Sequence, residues 1–91
     1  MSKKVIVLSE PIQAHGEPVS ELSLSKPTGE QVCRLGLPYT MTPEGEISIN
    51  MKKVKGYLIE LCAIPASAVE QIDPVDLNNA AWDVAGFFLK G

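Results

Sequence analysis

The sequence has few aromatic residues, two cysteines and one histidine, and each shortage excludes a class of protein. Aromatic residues make up 5% of the chain, so few large side chains can anchor a core, which favours a core shared with a partner. A zinc site needs about four cysteine or histidine ligands at short spacings, and His15, Cys33 and Cys62 do not supply them. We therefore predict no metal centre and two free thiols, because disulfides are typical of secreted chains.

Long hydrophobic runs and an excess of positive charge are also missing. No apolar stretch approaches the roughly 20 residues that a membrane-spanning helix needs, and MSKKVIVLSEP at the amino terminus is not a secretory signal. The net charge of −3 argues against a nucleic-acid partner. The one basic cluster, Lys52, Lys53 and Lys55, is interpreted as a solvated helix face. These features predict a cytoplasmic protein that binds neither membranes nor nucleic acid.

The residues that are present have the composition of a folded protein, with 45% apolar and 21% charged side chains. We predict a single domain over 1–91, with a β-hairpin at 5–24 and a helical part at 28–89. The first strand is rich in β-branched residues, the second alternates between apolar and polar residues, and Gly16 lies in the turn between them. The stretch at about 37–47 contains two prolines and a glycine and is predicted to be a loop.

Local signals mark where the helices begin. Thr28 and Gln31 have capping-box spacing, and apolar residues at three- and four-residue intervals predict a second helix over about 49–62. Asp73 followed by Pro74 is typical of a helix start, since aspartate caps and proline suits the first helical position. The sequence therefore predicts an α+β fold, in which an N-terminal β-hairpin is followed by three to four α-helices packed against it.

No constellation of catalytic residues is present. Catalysis needs a nucleophile with a base, paired carboxylates or a bound cofactor. The acidic residues lie mostly at predicted helix starts, where capping explains them. The stretch SKPTGEQ lacks the second glycine and the lysine of a phosphate-binding loop. We therefore predict a non-enzymatic protein without a cofactor.

Apolar residues are concentrated near the carboxyl terminus, which contains the only tryptophan and both phenylalanines. At 100° per residue, Trp82 lies on the side of the last helix opposite its apolar face. Two interpretations remain open: these residues pack on the chain's own core, or they contact another polypeptide. On the second interpretation, the candidate protein-binding residues are Trp82, Val84, Phe87, Phe88 and Leu89.

Three segments in a fixed order resemble a known protein family. They are L-x-L-x-x-P-T-G at 22–29, L-x-x-L-x-x-I-P at 58–65 and I-D-P-x-D-L at 72–77, followed by the dipeptide Phe87-Phe88. Their order and spacing, together with the length of the chain, resemble the tail assembly chaperone family of contractile-tailed, Mu-like bacteriophages. The resemblance covers nearly the whole chain, except for the stretch from 37 to 47.

The resemblance implies a non-enzymatic protein of the host cytoplasm that acts during virion assembly and is nearly absent from the finished particle. Such a protein is expected to coat the tape measure protein, keep it soluble, and help recruit tail tube subunits. Reversible self-association is also expected. A longer product made by programmed ribosomal frameshift is implied too, since Phe87-Phe88-Leu89 can be encoded by an uninterrupted run of one base.

Two other interpretations remain open. A small structural tail or connector protein would be retained in the virion and would appear in mass spectra of purified particles. A small DNA-binding regulator would place the KKVKG helix on DNA, and its binding would fall steeply with salt. The acidic net charge makes the second of these the weaker one.

Overall fold

The computed structural model describes residues 3–89, and within them an N-terminal β-hairpin is followed by helices, as the sequence predicts. The predicted α+β fold class is therefore confirmed. In chain order the elements are β1 (Lys3–Ala14), β2 (Glu17–Ser25), α1 (Gly29–Leu35), β3 (Tyr39–Met41), β4 (Ile47–Ile49), α2 (Met51–Leu61), α3 (Ala66–Val69) and α4 (Pro74–Leu89).

Strands β1 and β2 form an antiparallel hairpin closed by a two-residue turn at His15 and Gly16. Both turn residues have positive φ, 56° and 79°, the combination of a type I′ turn, whose twist matches that of the strands. The register shifts between Val7 and Ile12, so β1 bulges there. One face of the hairpin enters the core through six buried side chains: Ile6, Leu8, Ile12, Ala14, Leu22 and Leu24.

Side chains from the helical part bind the backbone of β1. The Gln71 side-chain amide accepts a hydrogen bond from the Gln13 amide at 2.8 Å and donates one to the Gln13 carbonyl at 3.1 Å. Gln71 thereby pairs with β1 much as a neighbouring strand would. The Asp76 carboxylate accepts from the Ser9 amide at 2.8 Å and from the Ser9 hydroxyl at 2.9 Å. These contacts cover part of the edge of β1 and fix the hairpin against the helices.

Helix α1 is short and depends on its cap and on one group of charges. The Thr28 hydroxyl accepts from the Gln31 amide at 3.2 Å, and the Gln31 side chain accepts from the Thr28 amide at 3.0 Å, which confirms the predicted capping box. Arg34 hydrogen-bonds both Glu30 and Glu60, the second of which lies on α2. Its guanidinium holds the pKa of both carboxyls below their ordinary value. Helix α1 is thus tied to α2 by charge.

The segment 37–47 differs from the predicted loop, because most of it belongs to a second, short hairpin formed by β3 and β4. Gly45 has a φ of 91° in the turn, and the Thr42 hydroxyl accepts from the Glu46 amide at 3.0 Å. Each strand has three residues, too few for the alternation of apolar and polar side chains to be recognised.

Helix α2 contributes three fully buried residues to the core, Val54, Tyr57 and Leu58, and packs on β2, α3 and α4. A Cβ added at Gly56 would lie 3.2 Å from the Leu35 side chain, so the close approach of α1 explains a glycine inside this helix. The buried alanines and Val84 of α4 complete the core beside α2. Helix α4 therefore has an inner face set by the fold and an outer face left to solvent.

Candidate protein-binding surface

Helix α4 is fixed at its beginning by two aspartates. The Val75 amide donates to the Asp73 carboxylate at 2.9 Å, and Pro74 occupies the first helical position, as the sequence predicts. Asp76, 7% exposed, binds Ser9 of β1 from the first turn. The amino-terminal end of α4 is therefore held on the hairpin, which sets the direction in which the rest of the helix projects.

The inner face of α4 consists of small side chains that allow close packing. Ala80, Ala81, Val84 and Ala85 are all at most 1% exposed. Val84, a candidate protein-binding residue in the sequence analysis, therefore has no surface to offer a partner. The period of 3.6 residues places Val84 on the same face as Ala80 and Ala81, so it packs inside the fold, and a role for it in protein binding stays an untested prediction.

The two phenylalanines are half-buried and pack against the core. The Phe88 ring meets Tyr39 of β3 at a centroid distance of 6.2 Å and Tyr57 of α2 at 5.8 Å, both edge to face. The Tyr57 hydroxyl donates to the Gly36 carbonyl at 2.5 Å, and burial raises the pKa of that hydroxyl. Phe88 thus docks the carboxyl-terminal end of α4 on the fold, the first of the two interpretations that the sequence left open.

The outer face of α4 carries three exposed apolar side chains at seven-residue intervals, which we call the outer stripe: Val75, Trp82 and Leu89. Their exposed fractions are 68%, 45% and 37%. A seven-residue apolar repeat is the pattern by which one helix packs along another. Trp82 and Leu89 are among the protein-binding residues predicted from the sequence, whereas Val75 is not, although its spacing of seven residues from Trp82 is a signal in the sequence.

The outer stripe is uncharged and contains a gap. Asp76 and Asp83 are the only charged residues from Val75 to Leu89, and both have partners, since Asp83 forms a 3.2 Å ion pair with Lys4 of β1. A Cβ added at Gly86, one turn after Trp82, would meet no atom within 4 Å. The space beside Trp82 at Gly86 is therefore open to a side chain from a second helix.

Two exposed valines of β1 form a smaller apolar surface on the N-terminal hairpin. Val5 and Val7 are 56% and 69% exposed, and they lie on the face of β1 opposite to Ile6 and Leu8. Val7 is paired across the hairpin with Glu21, so a carboxylate interrupts this surface. It lacks both the length and the aromatic residue of the outer stripe.

Metal-ligating side chains and thiols are the remaining candidates for a chemical site in residues 3–89. No cluster of three or more histidine, cysteine, aspartate and glutamate side chains in that range is placed to hold a metal ion. Cys33 is exposed and Cys62 is half-buried, where burial raises the pKa of the Cys62 thiol to about 11. The helices of the same range include none whose length and hydropathy would suit a bilayer crossing.

A comparison with models of protein families gives a match. The sequence model of the family described as "Phage tail assembly chaperone proteins, E, or 41 or 14" matches residues 5–89, from the first strand to the last residue of the outer stripe. No curated protein and no solved structure gave a match. Because the family match covers nearly the whole chain and confirms the resemblance seen in the sequence, the protein belongs to the phage tail assembly chaperone family.

Proposed function

We propose that the protein binds the tape measure protein during virion assembly, through the outer stripe of α4, and keeps it soluble without chemical catalysis. The observation that carries this proposal is the seven-residue spacing of Val75, Trp82 and Leu89 on a helix whose opposite face is buried. The family supplies the setting, since a tail assembly chaperone acts on proteins of the tail. The host cytoplasm is the compartment in which that assembly would take place.

A helical client fits the outer stripe better than a folded, globular one. Helix recognition uses apolar anchors one or two turns apart, and the stripe offers Trp82 as a central anchor with Gly86 open beside it. The absence of an unpaired charge in this stretch suits an apolar seam. The tape measure protein of the family resemblance is such a client, being long, apolar and helical.

The exposed area of the outer stripe also suits a contact that must later be broken. Three side chains bury far less than the roughly 1,600 Å² of a standard stable interface, so each copy would bind weakly. Many copies along one client would gain avidity while each contact remained reversible. We propose that tail tube subunits then displace the chaperone, and that Val5 and Val7 on the hairpin provide the surface for self-association.

Co-expression with the tape measure protein tests this function. We expect the wild-type chain to keep a tape measure fragment in the soluble fraction, and a chain with Trp82→Ala to lose most of this effect. The matched control is Met41→Ala, which removes an exposed apolar residue of β3 instead. A soluble fragment with every variant, or an insoluble one with the wild type, would contradict the proposal.

Mass spectrometry of purified virions separates this function from that of a structural tail or connector protein. A chaperone that is displaced should be missing or present far below the copy number of the tail tube protein. A stoichiometric amount in the particle would favour the structural role. The codons of Phe87-Phe88-Leu89 test the proposed frameshift separately, since codons that form no run of one base would exclude it.

A further inference from the structure

A second apolar site lies away from the outer stripe, in a groove between α2, α3 and α4. Its volume is about 230 Å³. The apolar lining comes from Met51 at the start of α2, Val69 of α3 and Leu77 of α4. Met51 is 42% exposed although it is apolar, while Val69 is buried. The groove therefore has an apolar floor that reaches the surface beside Met51.

The volume suits one large apolar side chain. An engineered cavity of about 150 Å³ holds a benzene molecule, whereas pockets for drug-sized ligands and cofactors measure about 300–1,000 Å³. The groove lies between these values, so it is large enough for a leucine or phenylalanine side chain and small for a cofactor. The flexible Met51 side chain at the opening can adjust to different apolar shapes.

Charged residues give the opening of the groove a positive character. Lys52, Lys55 and Glu70 complete the lining. Lys55 and Glu70 form an ion pair with each other, whereas Lys52 has no ion-pair partner among the described residues. The lining thus contains two lysines and one carboxylate, and the lysine without a partner is exposed.

The neighbouring Lys53 does not belong to this opening. Its ammonium nitrogen lies 2.9 Å from the position that a Cβ of Gly36 would occupy, so its side chain extends over the turn after α1. The basic cluster of the sequence is therefore divided, with Lys52 and Lys55 on the groove and Lys53 on the side of α1.

We propose that the groove binds a single large apolar side chain of a partner helix, at a point where aspartate or glutamate flanks that residue. The apolar side chain would contact Met51, Val69 and Leu77, and the flanking carboxylate would pair with Lys52. This inference rests on the proposed function, because it gives the chemistry of a second segment of the same helical client. Selection by charge would fix which part of a long apolar client lies against the groove.

Two helical peptides test the charge selection. They share one central leucine and differ in the flanking residues, which are glutamate in one peptide and lysine in the other. The full chain, carrying labelled methyl groups, is titrated with each peptide and followed by NMR. We expect the glutamate peptide to shift the methyl signals of Met51, Val69 and Leu77, and to bind roughly three- to tenfold more tightly than the lysine peptide.

Charge reversal on either side of α2 provides a matched pair of variants. Lys52→Glu should weaken binding of the glutamate peptide by about three- to tenfold and strengthen binding of the lysine peptide. Lys53→Glu makes the same change in net charge one residue away, and it should alter either affinity by less than about twofold. Equal losses in both variants would overturn the proposal, because only the net charge would then matter.

Other outcomes separate this inference from the proposed function. Shifts confined to Val75, Trp82 and Leu89 would overturn the groove proposal and leave the outer stripe as the client site. If the methyl signals of the groove shift with protein concentration and not with added peptide, a second copy of the chain occupies the groove. That result would also overturn the groove proposal. Failure of both peptides and of every tape measure fragment to bind anywhere would overturn the proposed function as well.

Discussion

Replacing Trp82 with alanine tests most sharply how much binding energy the outer stripe supplies. Trp82 is 45% exposed and a buried tryptophan contributes up to about 250 Å², so roughly 110 Å² remains for a partner. At about 25 cal/mol per Å² of apolar surface, covering that area would stabilise a complex by about 2.8 kcal/mol. Complete covering would correspond to about a hundredfold in Kd. A partner that covers only part of this area gives less, so we expect truncation to weaken Kd by between about tenfold and a hundredfold.

Fluorescence anisotropy of a labelled tape measure fragment provides the assay. Trp82→Ala should weaken Kd by the amount above, whereas Lys52→Ala should change it by no more than about threefold, since an exposed charge contributes little. Met41→Ala is the control for exposed apolar area on another element. Because Trp82 is also partly buried, a urea unfolding curve for each variant must show that it is folded under the binding conditions.

Two results would refute this reasoning. One is a folded Trp82→Ala chain whose Kd equals that of the wild type. The other is a larger loss with Lys52→Ala than with Trp82→Ala, because binding would then depend on charge and not on the apolar stripe.

Three further predictions concern stability, the gap in the stripe and thiol reactivity. Asp76→Ala should lower the free energy of unfolding in urea by about 2–4 kcal/mol, because it leaves the Ser9 amide without its acceptor; an unchanged midpoint would contradict this. Gly86→Ala should raise the free energy of unfolding by up to about 1 kcal/mol, while Gly86→Leu fills the space beside the stripe and weakens client binding. At about pH 8 a thiol reagent should modify the exposed Cys33 faster than the half-buried Cys62, because burial raises the Cys62 pKa to about 11; equal rates at the two thiols would contradict this.

Local signals account for the parts of the fold that the sequence predicts well. The capping box at Thr28 and the aspartate-proline pair at Asp73 depend on residues within three positions of one another, so they can be recognised without knowing the fold. The hairpin is predictable for a similar reason. A strand with one buried face alternates apolar and polar residues, and this alternation can be recognised without knowing which element packs on that face. These local signals predict the order of the helices and strands along the chain, but they do not predict which elements contact one another.

Contacts between distant residues explain what the sequence did not predict. Gln71 pairs with Gln13, 58 positions away, and no local sequence pattern predicts such a contact. Phe88 was a candidate for partner binding because its neighbours in sequence are apolar, and only the fold brings Tyr39 and Tyr57 to its ring. The second hairpin was missed because strands of three residues carry almost no periodic signal.

The candidate surface was predictable in part. Trp82 stands out in the sequence because it falls on the side of α4 opposite the apolar face, and its exposure in the structure agrees with that position. Val75 precedes it by seven residues, and the helix start predicted at Asp73-Pro74 already places it on this helix; its 68% exposure in the structure adds it to the surface. The sequence also could not separate Val84 from this surface, since burial depends on which face meets α2.

The most direct measurement is an NMR titration of the full chain with a helical fragment of the tape measure protein. Binding through α4 predicts shifts of the Val75 and Leu89 methyl signals and of the Trp82 indole N–H, while the buried Val84 methyls move little. No shift at any concentration, or shifts confined to Val5 and Val7 on the hairpin, would contradict the assignment of the client site to the last helix.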